Sequence, residues 1–172
     1  MTDQDVIETK RLRLRAAQQT DLMPLHQLFS DPETMRYWDQ PAYTEIAKTQ
    51  AFIDHFMSKD MNNREEYILD FQGVCVGKAG MWKRYEIGYI LRRDLWGQGL
   101  VSEALEAIIP RVFARFPETD VLTAELDPRN VGSSRVLEKL GFVQTGFEEK
   151  NFLYGETELC DTAYYTLTRP EV

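Results

Sequence analysis

The spacing of apolar and polar residues divides the chain into short strands and helices. Alternating basic and apolar side chains over 9–16 predict a half-buried first strand. Apolar residues at helical spacing predict helices over 21–30, 44–57 and 130–140, and another that begins near Val101 and contains Pro110, which is expected to kink or shorten it. Apolar runs predict strands over 67–71, 74–81, 86–91, 121–126, 142–145 and 162–168, with a hairpin turn at Gln72-Gly73. Only the late segments follow the β-α-β order that joins parallel strands.

Composition indicates one globular domain and limits the classes of partner that it is expected to bind. With 172 residues, 43% of them hydrophobic, the chain is expected to bury its core as a single domain over 1–172. A net charge of −8 disfavours nucleic acid and favours cationic partners such as amines and basic peptides. Cys75 and Cys160 are isolated, as expected of reduced cytosolic thiols. Because the segment 1–10 has no apolar core for secretion and no run approaches about 18 apolar residues, a cytoplasmic protein without a membrane partner is expected.

A pair of glycines lies between the strand 86–91 and the following helix. Gly97 and Gly99 let consecutive backbone N–H groups converge, and the helix start adds unpaired N–H groups and the positive end of its dipole. These features are typical of a pyrophosphate site without a cationic side chain, although a simple loop has the same letters. A dinucleotide fingerprint is disfavoured because Ser102 stands where glycine or alanine is needed, and residues 73–79 lack the P-loop spacing.

A second informative segment runs from Asp127-Pro128 to Phe142. Asn130 is a good N-cap for a helix that Gly141 ends. By itself, this segment is equally compatible with a well-capped helix that carries no chemistry.

Together these segments resemble the Gcn5-related N-acetyltransferase (GNAT) superfamily and, within it, the RimJ/RimL-like branch. The matching letters follow the family's order: TKRLRLR at 9–15, EIGY at 86–89, WGQG at 96–99 with Glu103-Ala104, the helix from Asn130 through Ser133 to EKLGF at 138–142, and Asp161 with Tyr165. The resemblance implies a mixed α/β fold with a mostly antiparallel sheet of six to seven strands and flanking helices. It also implies that two central parallel strands, 86–91 and 121–126, splay apart like a V.

The resemblance further implies acetyl-CoA as the co-substrate. Its pantetheine arm would pair with the strand backbone as if it were an added strand, its pyrophosphate would lie on the N–H groups of the glycine turn, and its thiol end would face the start of the next helix. Arg135 and Lys139 would meet a CoA phosphate or form a solvated helix face. Val101 departs from the glycine or alanine of the family, and its branched side chain is expected to crowd the helix start. The expected cofactor-binding residues are Tyr89, Ile90, Leu91, Trp96, Gly97, Gln98, Gly99, Leu100, Val101, Ser102, Asn130, Ser133, Arg135 and Lys139.

Acetyl transfer to an amine needs a base, an oxyanion donor and an acid for the departing thiolate. Many relatives place an acidic Tyr where Leu137 stands here, so Ser133 is the substitute acid, unless it only bonds the helix start. Glu86 is the expected base, or else a structural residue, with Glu125 in reserve. Alternation along the strand is expected to put Glu86, Gly88 and Ile90 on one face and Ile87, Tyr89 and Leu91 on the other. The resemblance implies a strand bulge whose N–H near Ile90 stabilises the oxyanion. A site without an obvious strong base suits α-amines, whose pKa of about 7.8 leaves more of the neutral form than the about 10.4 of lysine.

Arg36, Tyr37 and Trp38 fall where relatives build the acceptor wall, and they either contact substrate or close the core. No metal site is expected, since His26 and His55 have no third ligand at metal spacing. The resulting hypothesis is a direct-transfer N-acetyltransferase that acts on a protein or peptide N-terminus or a small amine. The alternatives are a non-catalytic acyl-CoA-binding or sensing module and a structural or interaction domain. A homodimer is a further expectation from the family.

Overall fold

The computed structural model describes residues 6–58 and 64–171, so the segment 1–5 of the secretion argument lies outside it. Within this part of the chain, the strands are β1 Ile7–Glu8, β2 Leu12–Arg15, β3 Glu65–Phe71, β4 Val74–Lys83, β5 Glu86–Leu91, β6 Val121–Leu126, β7 Val143–Tyr154 and β8 Glu158–Thr168. The α-helices are α1 Leu22–Phe29, α2 Pro32–Met35, α3 Ile46–Met57, α4 Leu100–Arg115 and α5 Val131–Lys139. In the same part of the chain, no helix is both long and apolar enough to cross a bilayer.

All these strands form one sheet in the order β1-β2-β3-β4-β5-β6-β8-β7. Every neighbouring pair is antiparallel except β5 and β6, which are parallel. The predicted mixed, mostly antiparallel sheet is confirmed, with eight strands rather than six or seven in the described residues. The additional strand arises because a turn closed by the Thr9 amide on the Leu12 carbonyl, at 2.9 Å, separates β1 from β2.

Two hydrophobic cores lie on opposite faces of the sheet. The first packs under α4 and α5, and the second packs under α1 and α3. Strand β5 serves both, because Ile87 and Leu91 enter the first core and Ile90 enters the second. The two-faced alternation predicted for this strand is therefore confirmed, and it places Glu86 on the face opposite α4.

Element boundaries differ from the sequence predictions most clearly in α4 and β7. Helix α4 continues through Pro110 to Arg115, so the predicted shortening is wrong. The helix loses one backbone hydrogen bond at an exposed position, while a long buried face that includes Leu105 and Ile108 holds it on the sheet. Strand β7 extends far beyond the predicted 142–145. The prediction was too short because most side chains of β7 are exposed, so the strand lacks a clear apolar alternation.

The parallel strands β5 and β6 separate soon after they meet. Their register consists of a single pair, Glu86 with Thr123, whereas β6 pairs with β8 along its whole length and β5 pairs with β4. The predicted V-shaped splay is therefore confirmed. Its open end is the end from which the chain enters α4 and α5.

Candidate active site

The V leaves backbone groups of β5 without a neighbouring strand. The Arg92 amide donates to the Val76 carbonyl of β4 at 2.8 Å. Because peptide groups alternate in direction along a strand, those of Ile90 also face β4, and those of Tyr89 and Leu91 face the V. The Trp96 indole donates to the Leu91 carbonyl at 2.7 Å. The V therefore presents an extended backbone edge with which a ligand can pair as a strand would.

The bulge expected at Ile90 is wrong. Strands β4 and β5 stay in register from Gly77 opposite Leu91 to Met81 opposite Ile87, and the irregularity follows Met81 instead. Ile90 is held in the regular ladder because its side chain is buried in the second core. An oxyanion donor at this strand has to come from the amides that face the V.

The glycine turn has the conformation that its sequence predicts. Gly97 and Gly99 have φ angles of +73° and +75°, the left-handed region that disfavours side chains. Gly99 is the N-cap of α4, so the first amides of the helix are free of intrahelical partners at this turn. Val101 is 8% exposed and packs into the first core, so the expected crowding of the turn is wrong.

An ion-paired clamp supports this turn from outside, and sequence reasoning missed it. The Arg11 guanidinium donates to the Glu103 carboxylate at 2.7 Å and to the Gln98 carbonyl at 2.8 Å. The Arg11 amide and the Thr9 hydroxyl also donate to Glu103, at 2.7 and 2.6 Å. Partial burial opposes ionisation of Glu103, but these hydrogen bonds outweigh it and lower its pKa below the ordinary value.

The start of α5 closes the other side of the V. The Asn130 side chain accepts from the Ser133 amide at 3.2 Å, which confirms the predicted N-cap. The Tyr89 hydroxyl crosses from β5 and donates to the Ser133 carbonyl at 3.0 Å, and burial raises the pKa of this tyrosine. Leu137, at the position of the family's acid, is 1% exposed in the first core. The sequence prediction considered only the backbone of Tyr89, so its hydroxyl is an additional polar group in the V.

The two cations predicted for a CoA phosphate lie farther along α5. Arg135 is exposed, and the Lys139 ammonium lies 3.8 Å from the Glu106 carboxylate of α4. Both the phosphate contact and the solvated face remain predictions.

Carboxylates gather on the sheet face opposite α4. Glu86 is buried and accepts from the Trp82 indole at 3.1 Å and from the Lys83 ammonium at 2.7 Å, so both its oxygens are engaged. Burial and the nearby Glu86 and Glu148 raise the pKa of Glu125, more than Lys83 lowers it. Of the two base candidates, Glu86 has both oxygens engaged, and Glu125 is the one whose pKa is raised.

The loop after α2 lies against this face through its aromatic residues. The Tyr37 ring lies 5.6 Å from the guanidinium of Arg129, and the exposed Arg36 lies 5.2 Å from the same ring. The Trp38 ring lies 5.2 Å from the ammonium of Lys78, which forms a buried ion pair with Glu66. Trp38 thus partly closes the second core, whereas Tyr37 and Arg36 stay at the surface of the expected acceptor wall.

Arg129 connects this loop to the end of β6 and to β8. Its guanidinium pairs with Asp127 and with Glu158, each at 2.6 Å, and donates to the Cys160 sulfur at 3.2 Å. Sequence reasoning missed this residue because Glu158 and Cys160 lie on β8, 29 and 31 positions away along the chain.

Comparison with known proteins identifies this arrangement. The family model described as an acetyltransferase (GNAT) domain matches residues 11–143. The chain belongs to the GNAT acetyltransferase family. The uncharacterized N-acetyltransferase p20 of Bacillus licheniformis is 28% identical to it over 97% of this chain and 98% of its own length.

Two solved structures show the same fold. RimL, described as a ribosomal L7/L12 alpha-N-protein acetyltransferase in complex with coenzyme A, has a TM-score of 0.80 and 22% identity over 96% of this chain and 98% of its own. Spermidine N-acetyltransferase from Vibrio cholerae, in complex with CoA and spermine, has a TM-score of 0.75 and 17% identity over 92% of this chain and 96% of its own. The predictions of the superfamily and of an N-acetyltransferase enzyme are confirmed, and the roles of individual residues remain predictions.

We expect Gly99→Val to weaken CoA binding by about tenfold or more, because a β-branched residue at this φ distorts the turn. Calorimetric titration with CoA measures the change. Gly73→Val is the matched control, since Gly73 also has a positive φ of +84° with open space around its Cα but lies in the β3–β4 hairpin. Equal affinity of the Gly99 variant and the wild type would contradict the assignment of the turn.

We expect Glu86→Gln to lower the pKa of Glu125, because it removes a nearby negative charge that disfavours ionisation. NMR titration of carbon-labelled glutamate carboxyl groups measures this pKa directly. Glu118→Gln, which removes an exposed carboxylate paired with Arg84, is the control that leaves it unchanged. An unchanged Glu125 pKa in the Glu86→Gln variant would show that the two carboxylates do not share a site.

Proposed function

We propose that this protein transfers an acetyl group from acetyl-CoA directly to a primary amine. The observation that carries this proposal is the position of the V. Its backbone edge at Tyr89 and Leu91 has no neighbouring strand, although the Leu91 carbonyl accepts from the Trp96 indole, and it lies beside the glycine turn and the start of α4. Such an edge suits an amide-containing arm such as pantetheine, and a helix N-terminus suits a pyrophosphate. One acyl-CoA molecule matches both parts at once.

The residues of the V divide the binding of acetyl-CoA between them. The backbone edge at Tyr89 and Leu91 pairs with the pantetheine arm, and the amides of residues 97–102 bind the pyrophosphate. The thioester then lies toward the start of α5, near Asn130 and Ser133. Of the two amides that face the V, those of Tyr89 and Leu91, one pairs with the pantetheine arm and the other is the proposed donor to the thioester oxygen as negative charge develops there.

Glu125 is the proposed proton acceptor for the amine. Its raised pKa makes it a stronger base than a carboxylate of ordinary pKa. Glu86, engaged by Trp82 and Lys83, contributes negative charge that keeps this pKa raised and attracts the cationic acceptor. Both carboxylates lie on the face away from α4, so the amine approaches the thioester from the side opposite the first core.

The Tyr89 hydroxyl is the proposed acid for the departing thiolate. A tyrosine hydroxyl is protonated at neutral pH, and this one lies at the start of α5, where the thiol end is placed. To donate, the hydroxyl turns from the Ser133 carbonyl toward the sulfur. A thiol of pKa about 8.5 leaves readily, so this assistance is modest. Ser133, the acid predicted from sequence, remains the competing candidate.

The acceptor is a cationic amine, and two classes fit this site. Glu86 and Glu125 offer negative charge to an ammonium group, and Tyr37 with Arg36 offers a polar and aromatic wall. The structural likeness to RimL supports a protein N-terminus, and the likeness to spermidine N-acetyltransferase supports a small polyamine. We favour the α-amine, because its pKa of about 7.8 asks less of a carboxylate base than a lysine or alkylamine does.

Thiol release from acetyl-CoA tests the proposed function. The panel contains peptides with a free α-amine, α-blocked peptides with a free lysine, polyamines and small monoamines. We expect release with one class, most strongly with free α-amines, and none with N-terminally blocked, lysine-free peptides. No thiol release with any member of the panel, together with intact CoA binding, would support the alternative of a non-catalytic acyl-CoA-binding or sensing module. Absence of both turnover and CoA binding would leave only a structural domain.

We expect Tyr89→Phe to lower kcat by about tenfold or more with acetyl-CoA, because it removes the proton donor. Ser133→Ala keeps the backbone carbonyl that Tyr89 contacts and should retain most of the turnover. The selenoester analogue of acetyl-CoA separates proton donation from a structural role, since a selenol leaves without protonation and should restore the rate of the Tyr89 variant. Equal losses with both donors, or a large loss only in the Ser133 variant, would contradict the role of Tyr89.

A further inference from the structure

Arg11 reaches the glycine turn from a distant part of the chain. It lies between β1 and β2, while its guanidinium bonds the Gln98 carbonyl inside the turn and the Glu103 carboxylate in the first turn of α4. The Arg11 backbone amide and the Thr9 hydroxyl bind the same carboxylate. The turn is thus attached to the β1–β2 segment by hydrogen bonds of 2.6–2.8 Å.

The bond to Gln98 fixes the direction of an amide. The Gln98 carbonyl and the Gly99 N–H belong to one planar trans peptide group, and therefore point in opposite directions. With the carbonyl held toward Arg11, the Gly99 N–H points away from Arg11. One side of this peptide is Gly99 and another glycine, Gly97, lies one residue before it, so the backbone here rotates readily and the bond from Arg11 helps to keep the peptide in one orientation.

The bond to Glu103 removes an electrostatic conflict. A carboxylate in the first turn favours the helix through its dipole but repels an anion that binds to the same N-terminus. Arg11 neutralises Glu103 at contact distance, and Glu103 in turn orients the guanidinium toward Gln98. Arg11 therefore offsets the charge of Glu103, and Glu103 holds Arg11 in the position from which it bonds Gln98.

We propose that Arg11, held in place by Glu103, is a positioning residue that orients the Gln98–Gly99 peptide so that the glycine turn binds the pyrophosphate of an acyl-CoA. This inference rests on the proposed function. Arg11 acts on the turn from behind and does not itself contact the acyl group or the acceptor.

The test compares Arg11→Met with Arg11→Lys and with Arg13→Met as the matched control. Arg13 belongs to the same basic segment but carries only an exposed ion pair with Glu8 at 3.3 Å. Calorimetric titration with CoA should show a Kd about tenfold higher for the Met variant at position 11 and little change for the control. The Lys variant keeps the charge but lacks the planar fork that reaches both partners, so its affinity should fall close to that of the Met variant.

Acetyl-pantetheine, which lacks the pyrophosphate, distinguishes positioning from general damage. As the acyl donor, it should give Arg11→Met and wild type the same kcat/KM, whereas with acetyl-CoA the variant should show a higher KM and nearly unchanged kcat. Glu103→Met offers a second test. A purely electrostatic effect predicts tighter CoA binding after loss of this negative charge, whereas the positioning role predicts weaker binding.

Three results would overturn the inference: wild-type CoA affinity in Arg11→Met, equal losses with both donors, or tighter binding in Glu103→Met. A wild-type protein that binds no CoA would refute the proposed function instead. The two failures are therefore separate. If Arg11→Met does not fold, as judged by its thermal transition, the Glu103 variant carries the test.

Discussion

The active site depends on one interruption in an otherwise continuous sheet. Strands β5 and β6 share a single register pair, and each is held by its other neighbour, β4 or β8. Buried backbone amides and carbonyls ordinarily find partners, so an unpaired strand edge inside a sheet favours any extended ligand that can supply them. The starts of α4 and α5 lie at the open end of this V, which brings a helix N-terminus, the Asn130 cap and the Tyr89 hydroxyl to one place.

This arrangement reconciles the proposed anionic co-substrate with the net charge of −8. The turn offers oriented N–H groups rather than cationic side chains, and the Glu103 carboxylate beside it is neutralised by Arg11. The Arg11 cation therefore shapes the turn and does not act as a general attraction for anions. The opposite face of the sheet stays acidic at Glu86 and Glu125, which suits a cationic acceptor and separates the two substrates by charge.

Local signals in the sequence predicted much of this site. The alternation of 86–91 placed Ile87 and Ile90 in different cores, the two glycines marked the turn, and Asn130 marked the start of α5. These features depend on residues close together in the chain, where side-chain period, φ preference and capping act. The V itself was predicted only through the resemblance, because nothing local shows which strands become neighbours.

Contacts between distant residues could not be predicted. Arg11 and Glu103 are 92 positions apart, and Tyr89 and Ser133 are 44 apart, so each pair becomes visible only once the chain has folded. The expected bulge at Ile90 came from the family and is absent because this isoleucine is needed in the second core. A structure of the protein with bound CoA is the most direct test. The account predicts pantetheine between β5 and β6, paired with Tyr89 and Leu91, and pyrophosphate on the amides of 97–102. CoA bound outside the V, or a V closed into a continuous ladder, would contradict it.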